Sequence, residues 1–141
     1  MGNFVDIKSK GMPHEIGPEN IRFPCPEFNH FLNCSEVVEV GVCSAAGIGT
    51  FTFRLAAKAP VTAVEGDAAL VGAIGHAARK ARGLKKVTAL RRDLFANPLA
   101  PAELDKFGAV VFDPPAAGAK AQAEMLAKSK VAKVVAVSCN P

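Results

Sequence analysis

A chain of 141 residues, half of them hydrophobic, can bury a core of ordinary size and calls for one folded domain. Its first twenty residues carry Asp6, Lys8, Lys10, Glu15 and Glu19, and its longest uncharged stretch, 40–53, is 14 residues and Gly-containing. Neither a secretory signal nor a bilayer-spanning helix is expected, which excludes a membrane partner and points to the cytoplasm.

The net charge of +4 conceals an asymmetry: residues 1–78 hold five basic and eight acidic side chains, residues 79–141 twelve and five. Seven of the basic residues (Arg79, Lys80, Arg82, Lys85, Lys86, Arg91 and Arg92) fall within 14 positions. That density would suit a phosphate backbone, or simply a solvated helix end and loop. Cys25, Cys34, Cys43 and Cys139 are expected to be reduced thiols in a chain large enough to dispense with a disulfide frame. Cys25, His30 and Cys34 match no zinc spacing, so no metal is expected.

In chain order, residues 1–35 contain Pro13, Pro18, Pro24 and Pro26, three glycines and no sustained period. They read as an irregular lead-in with at most a short helix near 28–33. From Glu36 the pattern changes to short β-branched runs at 37–45, 61–66, 87–93, 109–115 and 131–139, which predict strands. Helices are predicted between them at 50–58, 67–82, 101–106 and 119–128. Asp67 precedes an Ala-rich run that ends in basic residues before Gly83, a helix start and stop signature. Alternating strands and helices imply an α/β fold over 36–141: a Rossmann-like, doubly wound, mainly parallel sheet of about five strands.

The ends of those strands carry the chemistry. After the first comes A-G-I-G-T-F-T (46–52), a Gly-x-Gly turn opening a helix, where a ligand can approach backbone amides. A dinucleotide fingerprint would place a third glycine where Thr52 stands. The second strand ends in Glu65, which can accept hydrogen bonds from both hydroxyls of a ribose. The third ends in Arg91-Arg92-Asp93, where the carboxylate could meet an adenine amine or cap the next turn. The fourth ends in Asp113-Pro114-Pro115, whose prolines fix an extended exit. The fifth delivers Ser138-Cys139-Asn140-Pro141.

Taken together, these features resemble the class I S-adenosylmethionine-dependent methyltransferases. The fifth strand end, with Asp113-Pro114-Pro115 followed by Gly118 and Gln122, is similar to the RNA (uracil-5-)-methyltransferases, which make 5-methyluridine in ribosomal and transfer RNA. The likeness runs over 42–141 and includes GIGTFTFRLA (47–56), VEGDAALV (64–71) and VSCNP (137–141). It implies S-adenosylmethionine as cofactor, with Ala45, Gly47, Gly49 and Thr50 facing its methionine part, Glu65 its ribose and Asp93 its adenine. Asp113 would lie between cofactor and substrate. Cys139 would be the nucleophile that adds to C6 of a uracil in RNA, because C5 is too weak a nucleophile to attack a sulfonium methyl unaided.

This sequence departs from the family pattern in places. Cys43 stands where an aspartate usually opens the glycine motif, and Ala116 where an arginine follows Asp-Pro-Pro. The resemblance also implies two further strands and a proton-removing glutamate beyond Pro141. On that reading the chain is an incomplete catalytic domain, cut at its nucleophile, with its last strand an apolar edge through which it would self-associate. The alternatives are a non-catalytic nucleic-acid or cofactor-binding module, a methyltransferase for another base or a small molecule, and a nicotinamide-dependent oxidoreductase. The last is weakened by Thr52 and by the absence of any tyrosine.

Overall fold

The computed structural model describes residues 4–9, 12–16, 39–44, 50–113 and 119–138. Among them are seven strands, β1 (Phe4–Ser9), β2 (Met12–Ile16), β3 (Val40–Ser44), β4 (Val61–Glu65), β5 (Val87–Arg91), β6 (Ala109–Asp113) and β7 (Lys133–Ser138). Four helices join them, α1 (Thr50–Ala56), α2 (Ala68–Lys80), α3 (Pro101–Leu104) and α4 (Lys120–Lys128). All five strands and four helices predicted from Glu36 onward form, each within its predicted span.

The strands lie in one sheet in the order β2-β1-β7-β6-β3-β4-β5. From β3 to β7 every pairing is parallel, with Val40 opposite both Val61 and Ala109, and Ala109 opposite Lys133. The chain moves outward from β3 to β4 and β5, then returns to the other side of β3 for β6 and β7. This is the doubly wound, Rossmann-like arrangement, and its crevice lies where the winding reverses, at the carboxyl ends of β3 and β6.

Residues 4–9 and 12–16 differ from the irregular lead-in read from the sequence. β1 and β2 pair antiparallel, and β1 pairs antiparallel with β7, Phe4 opposite Ser138 and Ser9 opposite Lys133. The apolar edge expected on β7 is therefore covered, and the reason given for self-association falls away. Pro13 sits in β2, the outermost strand, where its missing donor can face away from the ladder. The helix expected near 28–33 lies outside the described residues. No helix among the described residues is long and apolar enough to cross a membrane.

Burial on both faces explains the apolar runs. Val40, Val61, Ala109, Val111 and Val135 pack with Leu55, Ala56 and Ala59 on the α1 side. Val64, Val110 and Phe112 pack with Leu99, Leu104, Phe107, Leu126 and Val131 on the side of α3 and α4. Each fully buried Val or Leu contributes roughly 1.5–3 kcal/mol. α2 starts at Asp67, whose Oδ1 accepts from the amides of Ala69 (2.7 Å) and Leu70 (3.1 Å), and Arg79 and Lys80 occupy its last turn. Gly83 follows at φ 75°, a conformation that glycine adopts without strain.

Gly41, in the central strand, has a steric reason to be glycine. A Cβ there would stand 2.9 Å from Cδ2 and 3.1 Å from Cγ of Phe107, a ring held in the core. Gly41→Ala is expected to destabilise the fold by about 1–3 kcal/mol through this overpacking. Urea denaturation followed by circular dichroism measures it, and an unchanged midpoint would mean that Phe107 shifts at no cost.

Candidate active site at the carboxyl edge of the sheet

Parallel register sets the carboxyl ends of the strands at one level. Ser44 pairs with Asp113, Cys43 with Val64, and Glu65 with Arg91. Glu65 and Asp113 thus end the strands on either side of β3, with backbones about 10 Å apart by two interstrand spacings. Asp93 lies two residues beyond the end of β5, next along the same edge.

Glu65 is 4% exposed. Its Oε1 accepts from the amides of Gly66 (2.7 Å) and Asp67 (3.1 Å), which locks the carboxylate at the turn into α2. Its Oε2 is buried with no hydrogen-bond partner among the described residues. An unmatched buried carboxylate oxygen costs on the order of 1–3 kcal/mol or more, and a donor brought by a ligand would recover it.

Asp93 caps the turn after β5, its Oδ1 accepting from the amides of Phe95 (2.9 Å) and Ala96 (3.3 Å). Its side chain is exposed and carries a second oxygen, so capping does not consume the group. Beside it, Arg92 is a structural residue. Its guanidinium grips Glu103 at 2.7 and 3.0 Å and donates to the backbone carbonyls of Asn97 (2.8 Å) and Pro98 (2.9 Å). The arginine in turn holds the Glu103 carboxyl below the usual carboxylate range. Arg92 therefore leaves the set of cations free to meet a phosphate.

Asp113 is half-buried at the reversal point, and burial pushes its pKa up. Behind it, α4 carries the fully buried Gln122, whose Oε1 accepts from the amide of Leu99 (2.7 Å) while its Nε2 donates to the same residue's carbonyl (3.2 Å). Gln122 thus clamps the 94–100 segment to α4. Two residues 23 positions apart make that pair, which explains why nothing local in the sequence announced the role.

The structure brings Glu65, Asp93 and Asp113 to one edge, and Thr50 opens α1. Ala45, Gly47, Gly49 and Cys139 lie outside the described residues, as do the cysteines and histidine considered for a metal. β7 does run to Ser138, the residue before Cys139. No group of three metal-ligating side chains occurs among the described residues.

The seven-cation run of 79–92 does not stay together. α2 runs back against the strand direction, so Arg79, Lys80, Arg82, Lys85 and Lys86 lie at the amino edge of the sheet. Only Arg91 and Arg92 reach the carboxyl edge. β5 separates the two groups by five residues, about 16 Å.

No family model matches the chain. It is 59% identical over 95 residues to an uncharacterized RNA methyltransferase of Brucella suis, covering 67% of this chain and 23% of that protein. It is 53% identical to an uncharacterized RNA methyltransferase of Caulobacter vibrioides, covering 90% of this chain and 34% of that protein. A coverage of 90% exceeds what 36–141 alone amounts to, so this likeness reaches into the first 35 residues, which the sequence reading had set apart. A 23S rRNA (uracil(1939)-C(5))-methyltransferase of Chromohalobacter salexigens is 40% identical over 97 residues, covering 68% of this chain and 20% of that protein. The chain is thus homologous to RNA methyltransferases and spans between a fifth and a third of the length of these three.

Among solved structures, a tRNA (uracil-54, C5)-methyltransferase of Pyrococcus abyssi, in complex with S-adenosyl-L-homocysteine, superposes with a TM-score of 0.59 at 21% identity. That match covers 98% of this chain and 35% of that one. A SAM-dependent methyltransferase of Aquifex aeolicus gives a TM-score of 0.53 at 18% identity, covering 71% and 54%. Both likenesses establish the methyltransferase-type sheet.

The raised pKa of Asp113 makes a prediction about stability. The protonated carboxyl's advantage is fully present below the unfolded value of about 3.9 and is lost as pH rises through the folded value. At neutral pH, Asp113 is therefore ionised at a cost to the fold. Asp113→Asn is expected to melt above the parent at pH 7, with the gap closing as pH falls toward about 4. Melting curves that stay parallel across that range would contradict this account.

Proposed function

We propose that this chain carries the cofactor-binding and nucleophile-bearing part of an RNA uracil-C5 methyltransferase, acting on ribosomal or transfer RNA. The observation that carries this reading is Oε2 of Glu65, a buried carboxylate oxygen without a partner among the described residues, at the end of the second parallel strand. A ribose hydroxyl is a donor of the right chemistry for it. The residues present fit S-adenosylmethionine, with Glu65 taking the ribose, Asp93 the adenine amine through its exposed carboxylate, and the Ala45, Gly47, Gly49 and Thr50 turn the methionine part. When bound, the cofactor supplies an electrophilic methyl group on a sulfonium centre.

The chemistry assigned to this chain's own residues begins at Cys139. Its thiolate adds to C6 of uracil, breaking the C5–C6 double bond and placing the electrons on C5 and O4 as an enolate. After C5 is alkylated, loss of its proton to a base re-forms the double bond and expels the thiolate. The half-buried Asp113 stands at the reversal point, two strands from Glu65, where a carboxylate can orient the uracil edge by accepting a hydrogen bond. A base paired in a stem is out of reach of such a thiol, so the target uridine must be single-stranded or flipped out.

Calorimetric titration of S-adenosylhomocysteine tests the reading, heat being the suitable signal in a chain without Trp or Tyr. Micromolar binding is expected, weakened at least tenfold by Glu65→Ala, about the worth of a hydrogen bond to a charged group. A folded chain that takes up no ligand would sink the proposal. A covalent adduct with 5-fluorouridine RNA, lost in Cys139→Ser, is the second expectation. Cofactor binding without an adduct would leave a binding module in place of an enzyme.

A further inference from the structure

The amino edge of the sheet, opposite the carboxylates, is one continuous rim tied together by hydrogen bonds. Val61 donates to the carbonyl of Lys86 (2.8 Å), Val40 to that of Pro60 (2.9 Å) and Gly108 to that of Glu39 (2.9 Å). The amide of Lys130 closes the series on Oδ1 of Asp105 (2.6 Å). The rim spans five strands, about 19 Å.

Its charge is lopsided. The connection from α2 to β5 contributes Arg79, Lys80, Arg82, Lys85 and Lys86, all exposed. The other connections add Lys58, Lys106, Lys128 and Lys130, also exposed. None of these nine forms an ion pair among the described residues. The described carboxylates at this edge are Glu39, which accepts from Oγ1 of Thr62, and Asp105, which accepts from Lys130. Two carboxylates against nine cations leave this edge strongly positive. The opposite edge carries Glu65, Asp67, Asp93 and Asp113, with Arg91 and, at the start of α4, Lys120 its exposed cations among the described residues, Lys120 lying 3.9 Å from Glu124.

Helix termini account for part of this pattern, since cations in a last turn are favoured by the helix dipole. That covers Arg79, Lys80 and Lys128. Lys58, Arg82, Lys85, Lys86, Lys106 and Lys130 lie outside those turns, where no capping role explains them.

We propose that the amino edge of the sheet is a phosphate-binding rim that grips the backbone of a folded RNA about 16 Å from the carboxyl edge where the target base would be held. The proposal rests on the reading of the chain as acting on RNA and adds where, and in what form, RNA is held. Phosphates are repelled by the carboxylate edge and attracted by the rim, so the two edges divide backbone from base. An isolated nucleotide cannot touch both, which makes the substrate an RNA that extends well beyond its target uridine. Between the edges runs the outer strand β5, with Leu90 (46% exposed), Arg91 and, past its end, Phe95 (55% exposed). An apolar and aromatic surface of this kind lets unpaired bases stack without regard to sequence.

Fluorescence anisotropy of a labelled RNA hairpin of about 30 nucleotides tests the rim, in the absence of cofactor and over a salt series. Lys85→Glu/Lys86→Glu and, at the other end, Lys128→Glu/Lys130→Glu are each expected to weaken binding at least tenfold. Each should also flatten the dependence of log K on log salt, while binding of S-adenosylhomocysteine stays unchanged. Should either pair disturb folding by circular dichroism, the corresponding Lys→Gln pair is measured and is expected to show the same direction. Full affinity in both folded pairs, or no RNA binding by the parent, overturns the proposal. So does equal, equally sensitive binding to phosphatidylserine vesicles, which would assign the rim to a membrane surface. RNA binding that follows the rim in a chain unable to bind S-adenosylhomocysteine would overturn the cofactor reading alone.

Discussion

β6 is buried on both faces from Ala109 to Phe112, with hydrogen-bonded partners on both sides, β3 and β7. Its residues alternate between the two faces, Ala109 and Val111 toward α1, Val110 and Phe112 toward α3 and α4. A slip of one position would drive Phe112 into the space of Val111 and turn Asp113 into a core, so the register is strongly determined. Through β3, that register sets the level of Ser44 against Asp113 and, one strand further, of Glu65. The arrangement of the candidate site thus follows from how the centre of the sheet packs.

The two carboxylates at that edge work against the fold in different ways. Glu65 keeps one oxygen locked on two amides and leaves the other buried and unmatched. Asp113 loses solvation on burial, which raises its pKa. Elsewhere in the described chain, buried polar groups are paired: Gln122 with Leu99, Ser129 with the Leu126 carbonyl. Polar groups held at a cost beside a well-satisfied interior are where sequences give up stability for function. The contrast makes Glu65 and Asp113 candidates on physical grounds, beside the motifs that proposed them.

Much of this was legible in the sequence because the signals are local. β-branched runs bounded by Gly, Pro and Asp mark five strands, and Asp67, Arg79, Lys80 and Gly83 delimit α2 within a few positions. β1 was missed although Val5 and Ile7 alternate with Asp6 and Lys8, the period of a half-buried strand. Its partner β2 contains Pro13, His14 and Glu15, which mask a strand signal, and its other partner β7 lies over a hundred positions away. Arg92 and Gln122 were illegible for a related reason: their roles depend on Glu103 and Leu99, groups that only the folded chain brings near. Asp93 reads both as cap and as site residue in the sequence, and the structure shows the cap while leaving its exposed carboxylate available.

The charge pattern shows most clearly how sequence proximity misleads. Seven cations in 14 positions look like one patch, yet the helix that carries the first of them runs antiparallel to the strand that carries the last. The fold therefore deals them to opposite edges and gathers Lys58, Lys106, Lys128 and Lys130, scattered in sequence, beside the larger group. In a doubly wound sheet every helix ends at the amino edge, so cations placed at helix ends and the connections after them accumulate there, while strand ends can be left acidic. For a chain read as acting on RNA, this topology separates attraction for the backbone from the chemistry at the base. On that proposal, the carboxylates of the candidate site need not compete with the rim for the phosphates of the RNA.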